Sequence, residues 1–479
     1  MSYSSPSHLS TISPTSDSAQ RWAVVGGGIL GMALAHRLAQ AGQRVTLFEA
    51  ADELGGLASA WQFADTMWDR HYHVTLLSDL QLRSLLDELN LDQEMVWRKT
   101  KTGVYADGQL YSVSNAVEFL QFPALGWLDK FRLALTIWYG SKLKDGAKLE
   151  QISVVDWLRR WSGDRTFQKF WLPLLRAKLG SNYRKASAAF IWATIARLYA
   201  ARSAGLKEEL FGYLPGGYHR LLSEFARLLQ QEGVEICLGH RARQVYSTRR
   251  TLDRSAAAVA PSANSVANPV AIEFANGAQR TFDQVVVTTA APIAAQLIGE
   301  LTDAEQARLN AIQYQGIVCA SVLLKKPLSD YYVTNITDDG LPFTGVIEMT
   351  TLVDRREFSS LDSQPRSLVY LPKYVPSEDA ALQQSDEAVR RSFLAGLERL
   401  YPAFHPSDVL DFRLSRVKYV MAVPTLNYSQ QIPPIHTSVP GLHLVNSAQI
   451  VNATLNVNDT LKLVERSLPQ LLTSVCTPS

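Results

Sequence analysis

Between Trp22 and Glu49 the chain passes from an apolar run, through three spaced glycines and an apolar helical pattern, into a second apolar run. That order constrains the fold more than any other feature, because a strand, tight turn, helix and parallel strand satisfy it within one compact unit. Residues 23–25 are apolar without helical period, as a strand buried on both faces requires. Gly26 permits the turn out of that strand, Gly28 lets the backbone approach a pyrophosphate with no side chain between, and Gly31 lets the next helix lie close on the sheet. Ile29 and Leu30 open that helix within the same phosphate-binding turn. Met32, Ala33, Leu34, Ala35, Leu38 and Ala39 keep a small apolar face at helical spacing, Gly42 supplies the stop, and residues 45–48 begin the second strand. It ends in Glu49, whose carboxylate is placed to accept both hydroxyls of an adenosine ribose and would repel a 2′-phosphate. The unit therefore reads as a dinucleotide site that disfavours NADP.

A glycine pair, Gly55-Gly56, followed by Leu57, comes just after the acidic residue. With the preceding motif it resembles the extended FAD fingerprint of the amine oxidase and protoporphyrinogen oxidase superfamily, in a divergent bacterial branch. The resemblance is specific over residues 22–59 and weaker over 282–292 and the C-terminal strand and helix. It implies an α/β fold: an FAD-binding, Rossmann-like three-layer domain with a discontinuous α+β substrate domain that carries a helical lobe. It also implies non-covalent FAD, with the glycine pair against the diphosphate and ribitol. Val245 would give backbone contacts to the adenine, although a buried strand valine needs no such role. Asn446-Ser447 stand where the family has Gly-Asp, and Ser447 can still donate a hydrogen bond. Asn458 fits the N-cap or first turn of the last helix, whose positive end would face the flavin pyrimidine.

The 479 residues, 47% of them hydrophobic and 19% charged, suffice for two intertwined domains. The expected division is a disordered leader over 1–20, an FAD-binding domain from 21–100, 211–297 and 436–475, and a substrate domain from 101–210 and 298–435. A flexible insertion is expected over 251–269. Residues 103–113 carry a hairpin pattern with Asp107-Gly108 at the turn, and the tryptophans between 127 and 192 suggest a helical lobe with most of them in its core. A formal net charge of +2 gives no electrostatic case for a nucleic acid partner. No apolar run is long enough to span a bilayer, while peripheral contact with a membrane stays open, as does the oligomeric state. Cys237, Cys319 and Cys476 are scattered, which suits free thiols in a reducing cytoplasm and no metal site.

Catalytic candidates lie in the segment 68–73, where Arg70, His71 and His73 follow the glycine pair. Two histidines at i and i+2 could ligate a metal on a strand, but no carboxylate cluster completes such a site. They are read either as structural histidines or as groups touching flavin or substrate. Arg176 and Lys178 suit an anionic group of a small-molecule substrate, and Lys373 and Tyr374 follow a strand toward the pocket. The resemblance implies an FAD-dependent oxidoreductase that dehydrogenates a C–N or C–C bond by hydride transfer to flavin N5. The alternative is a non-redox flavin isomerase similar to UDP-galactopyranose mutase, with Arg70, Arg176 and Arg184 on a nucleotide diphosphate. A flavoprotein that binds without turnover is the third reading.

Overall fold

A computed structural model describes residues 19–203, 210–248, 269–359 and 366–473. The leader expected over 1–20, except its last two residues, the insertion over 251–269, except Pro269, and Cys476 lie outside them.

The apolar runs that frame the glycines form the centre of a five-stranded parallel sheet, in the order Glu235–Cys237, Arg44–Phe48, Arg21–Val25, Gln284–Val287, Leu442–Leu444. Alternation along the first strand divides two cores. Trp22 and Val24 face a helical layer made of Ile29–Gln40, Leu80–Glu88, Gly217–Gln231 and Val457–Thr473. Ala23 and Val25 face a three-stranded antiparallel sheet, Ala242–Ser247, Val270–Phe274 and Gln279–Phe282. The result is three layers, with the carboxyl ends of the parallel strands gathered at one edge, where ligands of such sheets bind.

A second, seven-stranded sheet runs Val409–Ala422, Tyr314–Leu324, Ser367–Pro376, Gly345–Glu348, Tyr331–Ile336, Lys101–Ala106, Gln109–Ser112. Its last two strands are the hairpin read from the sequence, and Asp107 and Gly108 both take positive φ, 50° and 76°, as a two-residue turn of this kind demands. One face carries helix Asp386–Leu400; the other presents Tyr370, Tyr374, Tyr332 and Cys319.

Residues 116–203 form the helical lobe. Trp157 and Trp171 lie in its core as expected, but Trp127 and Trp138 are exposed, because helix Trp127–Lys142 buries Leu133, Thr136 and Gly140 and turns those tryptophans outward. Among the described residues, no helix is long and apolar enough to cross a membrane.

Candidate functional site

The glycine turn is built around close backbone contact. Gly26 has φ +115°, and a Cβ there would stand 2.5 Å from Thr288 Oγ1; a Cβ on Gly31 would stand 1.8 Å from the Gly26 carbonyl oxygen. Gly28 differs: its nearest neighbours would be Gly55 O at 3.9 Å and Gly56 Cα at 4.0 Å. Gly28 and Gly55 pair as an isolated parallel bridge, the Gly55 N–H donating to Gly27 O at 2.8 Å, while Gly55 and Gly56 both take positive φ. Two glycine segments thus lie side by side and leave a backbone-walled groove before helix Ile29–Gln40. No side chain caps that terminus, so the first N–H groups, those of Ile29 and Leu30 among them, are available to an anion.

Glu49 closes one end of the groove. Its Oε2 accepts the Gly27 N–H at 2.6 Å and its Oε1 the Ala51 N–H at 2.9 Å, leaving lone pairs on both oxygens for ribose hydroxyls. At the same sheet edge Thr288 Oγ1 donates toward the Val25 and Gly26 carbonyls, while Thr289 Oγ1 and Asn446 Nδ2 are buried and find no protein partner. Buried polar atoms of this kind are costly unless something bonds them. Together with the groove at Gly28, they fit a bound dinucleotide. Thr289 carried no signal in the sequence, since a threonine after a buried strand is commonplace.

Other expected contacts sort by geometry. Val245 is fully buried beside Ile272 on an edge strand. Ser247 on that strand sends its N–H outward to Glu300, so the Val245 peptide groups, two residues back, also lie on the outward edge. Ser447 opens a single turn, Ser447–Gln449, and its hydroxyl engages Tyr314. Asn458 lies in the first turn of the last helix, but it is not the N-cap. That role falls to Asn456, whose Oδ1 accepts the Asp459 N–H at 2.9 Å. Asn458 Oδ1 instead accepts the Gln81 and Leu82 N–H groups at 2.9 and 3.3 Å, capping helix Leu80–Glu88.

In the segment after the glycine pair, Arg70 pairs with Glu53 at 3.1 Å and its guanidinium lies over Trp61. His71 Nδ1 lies 3.1 Å from the Leu57 carbonyl, which can only accept, so Nδ1 carries the proton and Nε2 accepts the Ser415 hydroxyl at 3.1 Å. Burial holds its pKa down at about 4, so the ring is neutral with both nitrogens used by the protein. His73 turns to the buried Asp69 at 3.3 Å and lies against Tyr218. The two histidines therefore have separate partners, and neither meets the other across a metal position.

Of the four expected substrate residues, the structure unites two. Lys178, on helix Leu172–Leu179, donates to the Tyr72 hydroxyl at 3.0 Å, and its ammonium lies 5.4 and 5.2 Å from the Tyr72 and Tyr374 ring centres. The two hydroxyls are 3.1 Å apart, and burial pushes the Tyr72 phenol up to about 12. Arg176, two positions from Lys178 and so on another side of the helix, pairs with Asp339 at 3.2 Å. Lys373 and Tyr374 are strand neighbours and point to opposite faces, Tyr374 toward the tyrosine cluster and Lys373 toward the side bearing Val375 and helix Asp386–Leu400. Tyr72 carries no signal of its own in the sequence, where it stands between two histidines.

Comparison with known proteins identifies the fold and the family. The zeta-carotene desaturase of Synechocystis sp. is 23% identical over 422 residues, 80% of this chain and 83% of its own length. A Synechococcus elongatus protein named for zeta-carotene desaturation is 25% identical over 252 residues, 48% of this chain, and the chain spans about half (52%) of that relative's length. Three solved structures share the fold: a protein of Exiguobacterium sp. 255-15 named for protoporphyrinogen oxidase (TM-score 0.69, 18% identity, 96% and 100% of the chains), a putrescine oxidase (0.69, 16%, 95% and 99%) and a reduced UDP-galactopyranose mutase (0.67, 14%, 96% and 98%). The model of the family described as flavin containing amine oxidoreductase matches residues 31–454, and the chain accordingly belongs to that family of flavin-dependent oxidoreductases.

Proposed function

We propose that the flavin is FAD and that the chain dehydrogenates a C–C bond in an apolar substrate carrying no ammonium group. The supporting observation is Lys178, whose ammonium already rests on the Tyr72 and Tyr374 rings and holds the Tyr72 hydroxyl. A cationic amine approaching that pair meets an occupied position and a like charge. The relatives named for carotene desaturation point the same way, since a carotene is a hydrocarbon. FAD, when bound, supplies a hydride acceptor at N5. The chain's residues then have limited tasks. Glu49 and the glycine groove hold the dinucleotide, Tyr72 and Tyr374 orient the substrate, Lys178 holds the Tyr72 hydroxyl from the exposed side, and His71 positions the Leu57 carbonyl beside the glycine pair. The Tyr72 phenol stays protonated at neutral pH and moves no proton there.

The isomerase reading requires arginines converging on a diphosphate. Arg70 faces Glu53, Arg176 faces Asp339 and Arg184 lies over Tyr183, which does not favour it.

The test is anaerobic mixing of the FAD-loaded protein with a polyene, a porphyrinogen, a primary amine and a UDP-sugar, followed at the flavin absorption band. Bleaching by the polyene is expected, and bleaching by the porphyrinogen but not the polyene would overturn the apolar substrate. Bleaching by the amine alone, or turnover of the UDP-sugar, would sink the proposal.

A further inference from the structure

The helical lobe carries an apolar face that its own core does not use. On helix Trp127–Lys142 the inward side is Lys130, Leu133, Thr136 and Gly140. At about 100° per residue, Trp127, Phe131, Leu135 and Trp138 fall along the opposite side, with Leu128 at its margin. Trp127 is 75% exposed, Phe131 66%, Leu128 62% and Trp138 54%. Val117 and Leu120, exposed on the short helix Ala116–Gln121, extend the face. The two helices are tied together, because the Lys130 ammonium donates to the Leu120 carbonyl at 2.6 Å and lies 5.5 Å from the Trp127 ring centre. Seven exposed large apolar side chains on two tied helices form a face of the kind that marks interaction sites.

Its surroundings carry more cations than anions, and the one acid on the short helix, Glu118, is held by Ser112, Ser114 and Asn115. Residues 127–148 hold five Lys or Arg against two Asp, and Arg132, Lys142, Lys144 and Lys148 are exposed. Both aspartates are engaged locally: Asp129 accepts the Gly126 N–H and faces Arg165, and Asp145 accepts the Ala147 N–H.

We propose that this face docks the protein on an anionic lipid bilayer, with helix Trp127–Lys142 lying in the interfacial plane. The helix has 16 residues, too few to span, yet its apolar outer stripe has the form of an interfacial helix. Tryptophans toward both ends suit the headgroup boundary, where an apolar ring and a polar N–H are both satisfied. Exposed lysines at the C-terminal end are drawn to anionic headgroups. A second copy of the chain is the poorer occupant, because a two-fold interface through this face would set the same cations against each other.

The experiment is flotation of the full-length, flavin-loaded protein with phosphatidylcholine vesicles, with and without roughly a third phosphatidylserine. Wild type is expected to float with the anionic vesicles, and Trp127→Glu with Phe131→Glu to remain behind with unchanged flavin absorbance and melting temperature. Lys144→Ala and Lys148→Ala are each expected to weaken binding to anionic vesicles about fivefold, with little effect on neutral ones. Failure of the wild type to float, or flotation of the double glutamate variant equal to wild type, overturns the proposal. So does a dimer in sedimentation velocity that the double variant converts to monomer without any vesicle binding. None of these readouts depends on which bond the enzyme dehydrogenates.

Discussion

Gly28 and Gly31 belong to one motif and answer to opposite constraints. An added methyl at Gly31 runs into the Gly26 carbonyl, so Gly31→Ala must push the helix off the sheet. It is expected to cost about 1–3 kcal/mol or more of stability and to lose the flavin. Gly28→Ala meets nothing inside 3.9 Å, so its melting temperature should stay near wild type while the ratio of flavin to protein absorbance collapses, because the methyl projects into the groove. Purification of both variants, with spectra and melts, separates these outcomes. A second residue-scale expectation concerns pH. Burial holds His71 at about 4 and His443 at about 3, so the unfolded chain takes up a proton near 6.5 that the folded chain refuses until far lower. Their contribution to stability is full above 6.5 and is lost as pH falls. His36 runs the other way: burial lowers its pKa, but hydrogen bonds to Glu88 and Glu232 raise it on balance, so its contribution is present at low pH and lost as pH rises through the folded value. From about pH 7.5 to about pH 5 the two depressed histidines should each cost roughly 2 kcal/mol. Chemical unfolding at both pH values checks this, and an unchanged midpoint would contradict the buried, neutral state of both rings.

Elements show where pattern suffices and where partners decide. The first strand, helix and second strand were legible because each buries a face whose period is written in the sequence, and Gly42, with φ +78°, ends the helix where expected. The N-cap of the last helix was not, since Asn456 and Asn458 are the same residue type in neighbouring positions and only the packed helix Leu80–Glu88 recruits one of them. Asn458→Ala should therefore loosen that remote helix by about 1 kcal/mol, seen as faster amide exchange over residues 80–83 and not at the start of its own helix. The sides taken by Lys373 and Arg176 are not legible in the sequence for a related reason: a cation next to a strand or on a helix has a definite side only once the register of its neighbours is known. The pair Lys178 and Tyr374 was found, but its meaning rests on Tyr72, brought in by a segment far away in sequence. Lys178→Met empties the place between the two rings while keeping a long apolar side chain. Primary amines that leave the wild-type flavin oxidised are then expected to reduce it measurably in anaerobic titrations.

At the scale of the whole molecule, the dinucleotide edge is assembled from stretches near residues 26–31, 49–57, 288–289 and 446. The first two were readable because they are contiguous, whereas Thr289 and the unpaired amide of Asn446 come to the groove only through strand order. If FAD binds across all of these stretches as proposed, adding it should stabilise the fold as a unit, by about 2.7 kcal/mol at a hundredfold excess over Kd, and a thermal melt of stripped protein with and without FAD checks it. The strand order also sets a timetable. The first strand lies between Arg44–Phe48 and Gln284–Val287, the sheet edge is Leu442–Leu444, and the amide that caps the helix at Leu80 comes from Asn458. At about 5–20 residues per second, an N-terminal segment leaving the ribosome waits on the order of tens of seconds for its last neighbours. The first strand is thus made early and finished late, and a product lacking the segment from Leu442 onward is expected to leave the sheet edge unmade and the cofactor unbound.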